Sequence, residues 1–297
     1  MAKKEIKRRV VQVLSALLTN PHLPGFMKGG IYQGDLKTVC VPGMNCYSCP
    51  AATGACPIGA MQAVLGSRKY NFSFYVIGTI CLFGVLLGRF ICGWLCLFGF
   101  IQDLLYKVPV PKLTVPEKAD RVLRYLKYVV LAVLVLALPT FLNNEFGISP
   151  PYFCKWLCPV GTLEGGIPLV LLNESLRETV GFLFAWKFAI LIGIVVASMV
   201  IYRPFCKYLC PLGAFYALFN KVSFLKIHVQ PEKCVSCGLC KKVCNMGVDV
   251  CKTPNSAECI RCGKCVSVCP KGALHMGMRG PKEKTPAPGR TKASGSL

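Results

Sequence analysis

The sequence predicts an α-helical integral membrane protein that ends in a small α+β domain dense in cysteine. Three observations carry this. Of 297 residues, 54% are hydrophobic and only 16% charged, with a mean hydropathy of +0.51, whereas soluble domains run near a quarter charged. Three apolar runs approach the roughly 20 residues that a helix needs to cross ~30 Å of hydrocarbon. Twenty cysteines fall into recurring spacings, a count that means either disulfides or metal-bound thiolates. The formal charge of +22 counts every thiol as neutral. In so apolar a chain Lys and Arg mark the cytoplasmic edges of membrane spans, so the expected partner is membrane lipid and not nucleic acid.

Residues 1–71 read as a basic N-terminal helix followed by a cysteine-rich loop. Lys3, Lys4, Lys7, Arg8 and Arg9 lead into a short apolar run, which suits an interfacial helix with its positive face toward lipid headgroups better than a signal peptide. Residues 21–56 are rich in Gly, Pro and Cys and show no sustained period, so they read as a folded loop region. Residues 72–222 form the transmembrane region, with full spans at 72–88, 125–142 and 182–202. The stretches 90–106 and 156–172 are broken by Gly, Pro and acidic residues and read as half-helices covered by protein. Residues 223–278 make the small polar domain, and 279–297 a disordered basic tail. The segment 107–127 carries Lys107, Lys112, Lys118, Arg121, Arg124 and Lys127 against Glu117 and Asp120. It should face the cytoplasm, and the third span then returns the C-terminal domain to that side of the cell (inner) membrane.

Within the transmembrane region one unit recurs three times. Phe90-Ile-Cys92-Gly-Trp94-Leu-Cys96-Leu-Phe-Gly99 is echoed by Phe153-Cys154-Lys-Trp156-Leu-Cys158-Pro-Val-Gly161 and by Phe205-Cys206-Lys-Tyr208-Leu-Cys210-Pro-Leu-Gly213. The first and third also share an arginine three residues before the first cysteine, Arg89 and Arg203, where the second has Pro151. Cysteines four apart share a helix face. One such pair would read as buried packing, but three copies in a common frame favour ligation, and two pairs supply the four thiolates of one iron–sulfur cubane.

The strongest signal follows. Cys234-x2-Cys237-x2-Cys240-x3-Cys244 is succeeded by Cys259-x2-Cys262-x2-Cys265-x3-Cys269-Pro270, the rhythm of a bacterial-type 2[4Fe–4S] ferredoxin domain. One tight loop wraps three corners of a cubane, and the fourth ligand comes from the other motif. Cys234, Cys237, Cys240 and Cys269 are thus expected to hold one cluster, and Cys244, Cys259, Cys262 and Cys265 the other. Zinc would favour paired C-x2-C units separated by a longer span. One or two further clusters are expected from Cys92, Cys96, Cys206 and Cys210 at the membrane edge, and from Cys40, Cys46, Cys49, Cys56, Cys154 and Cys158. For the 40–56 loop, a zinc knuckle or a disulfide pair stays open. Cys81 and Cys251 read as packing residues. No Walker loop, dinucleotide fingerprint or catalytic triad is present, so no catalytic residue is assigned, and the chain reads as an electron-transfer subunit.

These motifs, over residues 72–278, resemble the membrane polyferredoxins of the NapH/NosR/CcoG type. Leu97 stands in place of the proline that follows the second cysteine in that pattern, and there are three cysteine pairs instead of two. The resemblance implies single-electron relay between a cytoplasmic or quinol donor and a redox partner such as a flavoprotein, a ferredoxin or a reductase subunit. It also implies an alternative, an assembly or regulatory factor for a partner's metal centre. With three spans, the Cys92/Cys96 and Cys206/Cys210 pairs sit at the cytoplasmic face and Cys154/Cys158 with the 40–56 loop at the outer face, as a transmembrane wire requires.

Overall fold

The computed structural model describes residues 2–67, 73–142, 144 and 148–278; the tail expected at 279–297 lies outside them. The helices run α1 (Ala2–Thr19), α2 (Pro24–Lys28), α3 (Pro57–Gly66), α4 (Phe74–Leu87), α5 (Phe90–Trp94), α6 (Leu97–Leu105), α7 (Glu117–Phe141), α8 (Tyr152–Trp156), α9 (Pro159–Leu172), α10 (Glu174–Glu178) and α11 (Phe182–Val200). After a π-helical turn at Phe205–Leu209 come α12 (Pro211–Phe219), β1 (Lys226–Val229), α13 (Leu239–Lys242), α14 (Lys264–Val268) and β2 (Leu274–Gly277).

Among the described residues, two helices are long and apolar enough to cross a membrane, α7 and α11. The expected third span is shorter than the sequence suggested. Its described part, α4, has 14 residues, about 21 Å at 1.5 Å per residue, and residue 72 lies outside the described set. Both α7 and α9 carry an internal proline, Pro139 and Pro168, just after a π-helical stretch, Leu131–Ala137 and Thr162–Gly166. A proline removes the N–H that would bond one turn back, and a local widening of the helix absorbs the loss.

Not every basic residue of the N-terminal helix faces outward. Arg8 of α1 is buried and pairs with Asp103 of α6 at 3.1 Å. Gln12 donates to the Gly93 carbonyl at 3.1 Å and Ser15 to that of Leu95 at 2.9 Å. These bonds pack α1 against the α5–α6 break. The cluster of cations at 107–127 also has a second use. Lys127 is fully buried against Glu258 of the C-terminal domain, and Arg124 pairs with Asp120 while donating to the Met246 carbonyl at 2.9 Å. Charges that read as a topology signal thus partly serve to dock one part of the molecule on another.

The C-terminal domain pairs β1 antiparallel with β2, Lys226 opposite Gly277 and Val229 opposite Leu274. Its docking is polar and specific. Arg261 donates to the Leu87 carbonyl at 2.7 Å and the Asn220 carbonyl at 2.6 Å. Asn220 in turn holds the Ser256 and Cys259 carbonyls at 2.7 and 2.8 Å. Glu258 sits between Arg89 at 3.0 Å and Lys127 at 2.5 Å. Three charges this deeply buried are tolerable only because each is paired and hydrogen-bonded; breaking such a set typically costs ~3–5 kcal/mol.

Candidate functional site

Four helices begin in the same way. Cys56, Cys96, Cys158 and Cys210 are the N-caps of α3, α6, α9 and α12, each with extended ψ of 108–125°. A glycine stands three residues on from each, and in two of them the thiol accepts its backbone N–H. Gly161 N lies 3.4 Å from Cys158 Sγ and Gly213 N 3.3 Å from Cys210 Sγ, while Gly59 and Gly99 hold the same place after Cys56 and Cys96. Unpaired N–H groups and the helix dipole favour negative charge at this point. The glycines leave room as well: a Cβ at Gly161 would stand 3.8 Å from both Cys158 Sγ and Cys46 Sγ, and one at Gly59 3.9 Å from Cys154 Sγ. The fourth copy, Cys56-Pro57-x-Gly59, escaped the sequence reading because Ala52 stands where the preceding cysteine would fall.

A second recurring position was missed. Six residues after each N-cap stand Gln62, Gln102, Glu164 and Tyr216, and each reaches across to the opposite segment. Gln62 Nε2 donates to Cys154 Sγ at 3.3 Å and Gln102 Nε2 to Cys206 Sγ at 3.1 Å. Glu164 Oε2 accepts from Cys46 N at 2.7 Å, and Tyr216 Oη donates to the Pro42 carbonyl at 2.9 Å. The offset alone carries this signal, since the residue type changes from copy to copy.

The copies pair into two thiol centres. Centre 1 gathers Cys46, Cys56, Cys154 and Cys158. Cys40 stays back in a parallel bridge with Ala55, and Cys49 packs on Ala51 and Ala52 beside Cys46. Centre 2 gathers Cys92, Cys96, Cys206 and Cys210, all 4–6% exposed. Its arginines cross over. Arg89 donates to the Cys206 carbonyl at 3.1 Å and Arg203 to the Cys92 carbonyl at 2.5 Å, so each cation ties down the partner segment. Asp103 holds Arg203 through two bonds of 2.7 and 2.6 Å.

The two centres are neighbours, which corrects the expectation that they stand at opposite faces of a hydrocarbon layer. Met44 Sδ lies 3.4 Å from Cys210 Sγ of centre 2, and Cys46 of centre 1 is two residues further, at most ~7 Å along the chain. A Cβ on Gly43 would approach Cys96 Cα to 3.0 Å. The 40–46 loop therefore threads between the two.

The C-terminal domain builds two more. Cys244, Cys259, Cys262 and Cys265 line one cavity (centre 3). Cys234, Cys237, Cys240 and Cys269 line another (centre 4). In each wrapping loop the residue before the second cysteine has positive φ, Ser236 at 52° and Arg261 at 51°, and the glycine after it does too, Gly238 at 72° and Gly263 at 78°. This curls the main chain around the cavity. Burial pushes the thiols of centre 3 up, Cys259 to about 11 and Cys265 to about 12, so a metal must displace their protons. Cys251 is not a packing residue. It is exposed, joins the wall of centre 4, and lies 3.4 Å from Cys240 Sγ. Cys81 remains half-buried on α4.

Centres 2 and 3 meet through the main chain. A Cβ on Gly93, next to Cys92, would fall 2.2 Å from the carbonyl oxygen of Ile260, next to Cys259. Trp94 Nε1 donates to the Arg261 carbonyl at 3.0 Å beside it. The other two repeats carry lysine at this position. Four thiols lining one cavity supply the four ligands of a cubane.

The family described as "4Fe-4S binding domain" matches four segments, 54–75, 72–116, 128–167 and 183–230, together half of the chain, and each contains one N-cap cysteine. The chain belongs to the polyferredoxin-type 4Fe-4S binding proteins. A second family of the same description matches 252–275, and this polyferredoxin accordingly holds [4Fe–4S] clusters. It is similar to an uncharacterized protein of Methanocaldococcus jannaschii, 34% identical over 63% of each chain. It is also similar to the methylamine utilization ferredoxin-type protein MauN of Methylorubrum extorquens, 28% identical over 65% of this chain and 56% of that one. The ferredoxin-type protein NapH of Haemophilus influenzae is 25% identical over 80% and 73%. The polyferredoxin spans less than two thirds of the length of the first two of these relatives. No solved structure gives a significant match.

Proposed function

We propose that the polyferredoxin is a membrane-embedded relay in which four [4Fe–4S] clusters, one on each thiol centre, pass single electrons in the order centre 4, 3, 2, 1. The observation that carries this reading is the unbroken series of contacts. Centres 3 and 4 share one small domain, Gly93 meets Ile260 between centres 3 and 2, and Met44 links centre 2 to the chain that bears Cys46. The lengths and hydropathy of α7 and α11 support insertion in the membrane. Relatives named as a ferredoxin-type protein and as a putative electron transport protein support the redox role.

Each end suits a different partner. Centre 4 is rimmed by exposed Lys233, Lys241, Lys252 and Lys271, which fits a soluble ferredoxin or flavoprotein with an acidic face. Near centre 1 an open groove lined by Leu17, Phe26, Leu97, Leu163 and Glu164 runs beside Cys49, apolar with one carboxyl, as a quinol site would be.

The test is freeze-quench EPR on the purified chain, with reductant delivered by a reduced soluble ferredoxin. In the wild type the spin count grows through four steps of reduction. With Cys92 and Cys206 both replaced by alanine, reduction stops after the two clusters of the C-terminal domain. If centre 1 fills as quickly in that variant, the series is not the path.

A further inference from the structure

Centre 4 offers five thiols where a cubane takes four. The fifth, Cys251, has its Sγ 3.4 Å from that of Cys240 and 3.9 Å from that of Cys234. It lines both the cavity of the centre and the open cleft beside it. Its place is built by a turn and not left to a loose loop. Thr253 donates to the Asp249 carbonyl from its N–H at 2.8 Å and from Oγ1 at 3.0 Å. Lys252 N–H donates to Asp249 Oδ1 at 3.4 Å. The turn thereby presents residue 251 to the thiols at its tip.

The setting gives a fifth thiol something to do. Cys237 and Cys251 are exposed, as are Val235 and Leu239 over the wrapping loop, while Cys240 is buried beneath them, so water reaches this centre from the side on which Cys251 stands. An exposed free cysteine is otherwise a liability on a protein surface, open to oxidation and intermolecular pairing. Here it stands within contact of the ligand that it could replace.

We propose that Cys251 is a reserve ligand of centre 4, taking the iron corner of Cys240 when that thiolate dissociates. The exchange balances without an oxidant. Cys251 gives up its thiol proton and forms an iron–sulfur bond, and the Cys240 sulfur leaves iron and takes up a proton. Both states carry four thiolates on the cluster, and no electron moves. The inference rests on the reading that centre 4 holds a cluster.

The experiment uses the full chain, purified anaerobically, as wild type, Cys240→Ala, Cys251→Ala and the double variant. Iron and acid-labile sulfide are counted, the EPR of the reduced clusters is recorded, and Cys251 is probed with iodoacetamide followed by peptide mass spectrometry. Cys240→Ala and Cys251→Ala are each expected to keep the wild-type iron content, the former with altered g-values. The double variant should lose one cluster, about four irons, while the signal of centre 3 persists as a control for folding. Cys251 should be alkylated in the wild type and protected in Cys240→Ala. Equal iron loss in Cys240→Ala and the double variant overturns the proposal, as does loss of the cluster in Cys251→Ala alone, which would make Cys251 an ordinary ligand. Equal alkylation in wild type and Cys240→Ala overturns it too. A wild type that lacks the cluster altogether refutes the reading of centre 4 instead, so the two failures are told apart.

Discussion

Centres 1 and 2 share a helix-capping thiol, a glycine three residues on and a reaching side chain six on, yet their electrostatic surroundings differ. Centre 2 is clasped by Arg89 and Arg203, both fully buried, each bonded to a cysteine carbonyl of the opposite segment. Centre 1 has Pro151 where those arginines stand, and at the sixth position Glu164 replaces the tyrosine of centre 2. Duplication of a unit thus copies the ligand frame and leaves the charge around it free to diverge. Cations in a low-dielectric setting stabilise the more negative, reduced cluster, so centre 2 should hold its electron more tightly than centre 1.

The largest effect should come from removing the counter-charge that makes the clasp possible. Asp103→Asn leaves Arg8 and Arg203 facing each other in a buried site, at a cost of about 3–5 kcal/mol. Iron analysis should show loss of the centre 2 cluster with centre 1 retained; equal loss from both would mean that the clasp is general scaffolding. Glu258→Gln should be next, since it strips the pairing from Arg89 and Lys127 at the domain contact. Thermal unfolding should begin at a lower temperature and limited proteolysis should release the C-terminal domain. An unchanged melting profile would show that the backbone contacts alone hold it.

A smaller effect is expected from the glutamines. Gln102→Leu and Gln62→Leu each remove one N–H···S bond, which should lower the potential of the respective cluster by about 30–60 mV, on a scale where ~59 mV is tenfold for one electron. Redox titration followed by EPR reads both, and a shift in the wrong cluster would reassign the centres. The smallest effect concerns pH. Burial alone would raise the Glu258 carboxyl, but Arg89 and Lys127 outweigh it and hold the group below its ordinary value of 4.5. A depressed carboxyl contributes stability above its unfolded value and loses it as pH falls through the folded one. Domain docking should therefore be flat from pH 6 to 8 on this account and weaken only under strong acid, whereas Glu258→Gln should remove that acid limb.

The candidate site was legible in the sequence where the signal is local. The eight cysteines of the C-terminal motifs and the three Cys-x3-Cys copies stood out because ligand spacing along a loop or a helix is written in consecutive residues. The fourth copy was hidden because its partner cysteine, Cys46, comes from a loop and not from four residues upstream. Glu258 was illegible for a different reason: its meaning lies in Arg89 and Lys127, more than a hundred residues away. At α4 the described helix is shorter than the apolar run that contains it, and the nearness of centres 1 and 2 depends on the path of the 40–46 loop, which carries no period at all.

The contact between Gly93 and the Ile260 carbonyl has a bearing on how such a chain can be adjusted. The gap between centres 2 and 3 is set by main-chain atoms on both sides, with a glycine on one side that admits no side chain. Between centres 1 and 2 a glycine again faces main chain, with a Cβ on Gly43 falling 3.0 Å from Cys96 Cα. Side-chain changes around the centres can therefore alter the driving force of each step without altering its distance. Spacing and driving force become separate dials, one locked by the backbone and the other left open to variation.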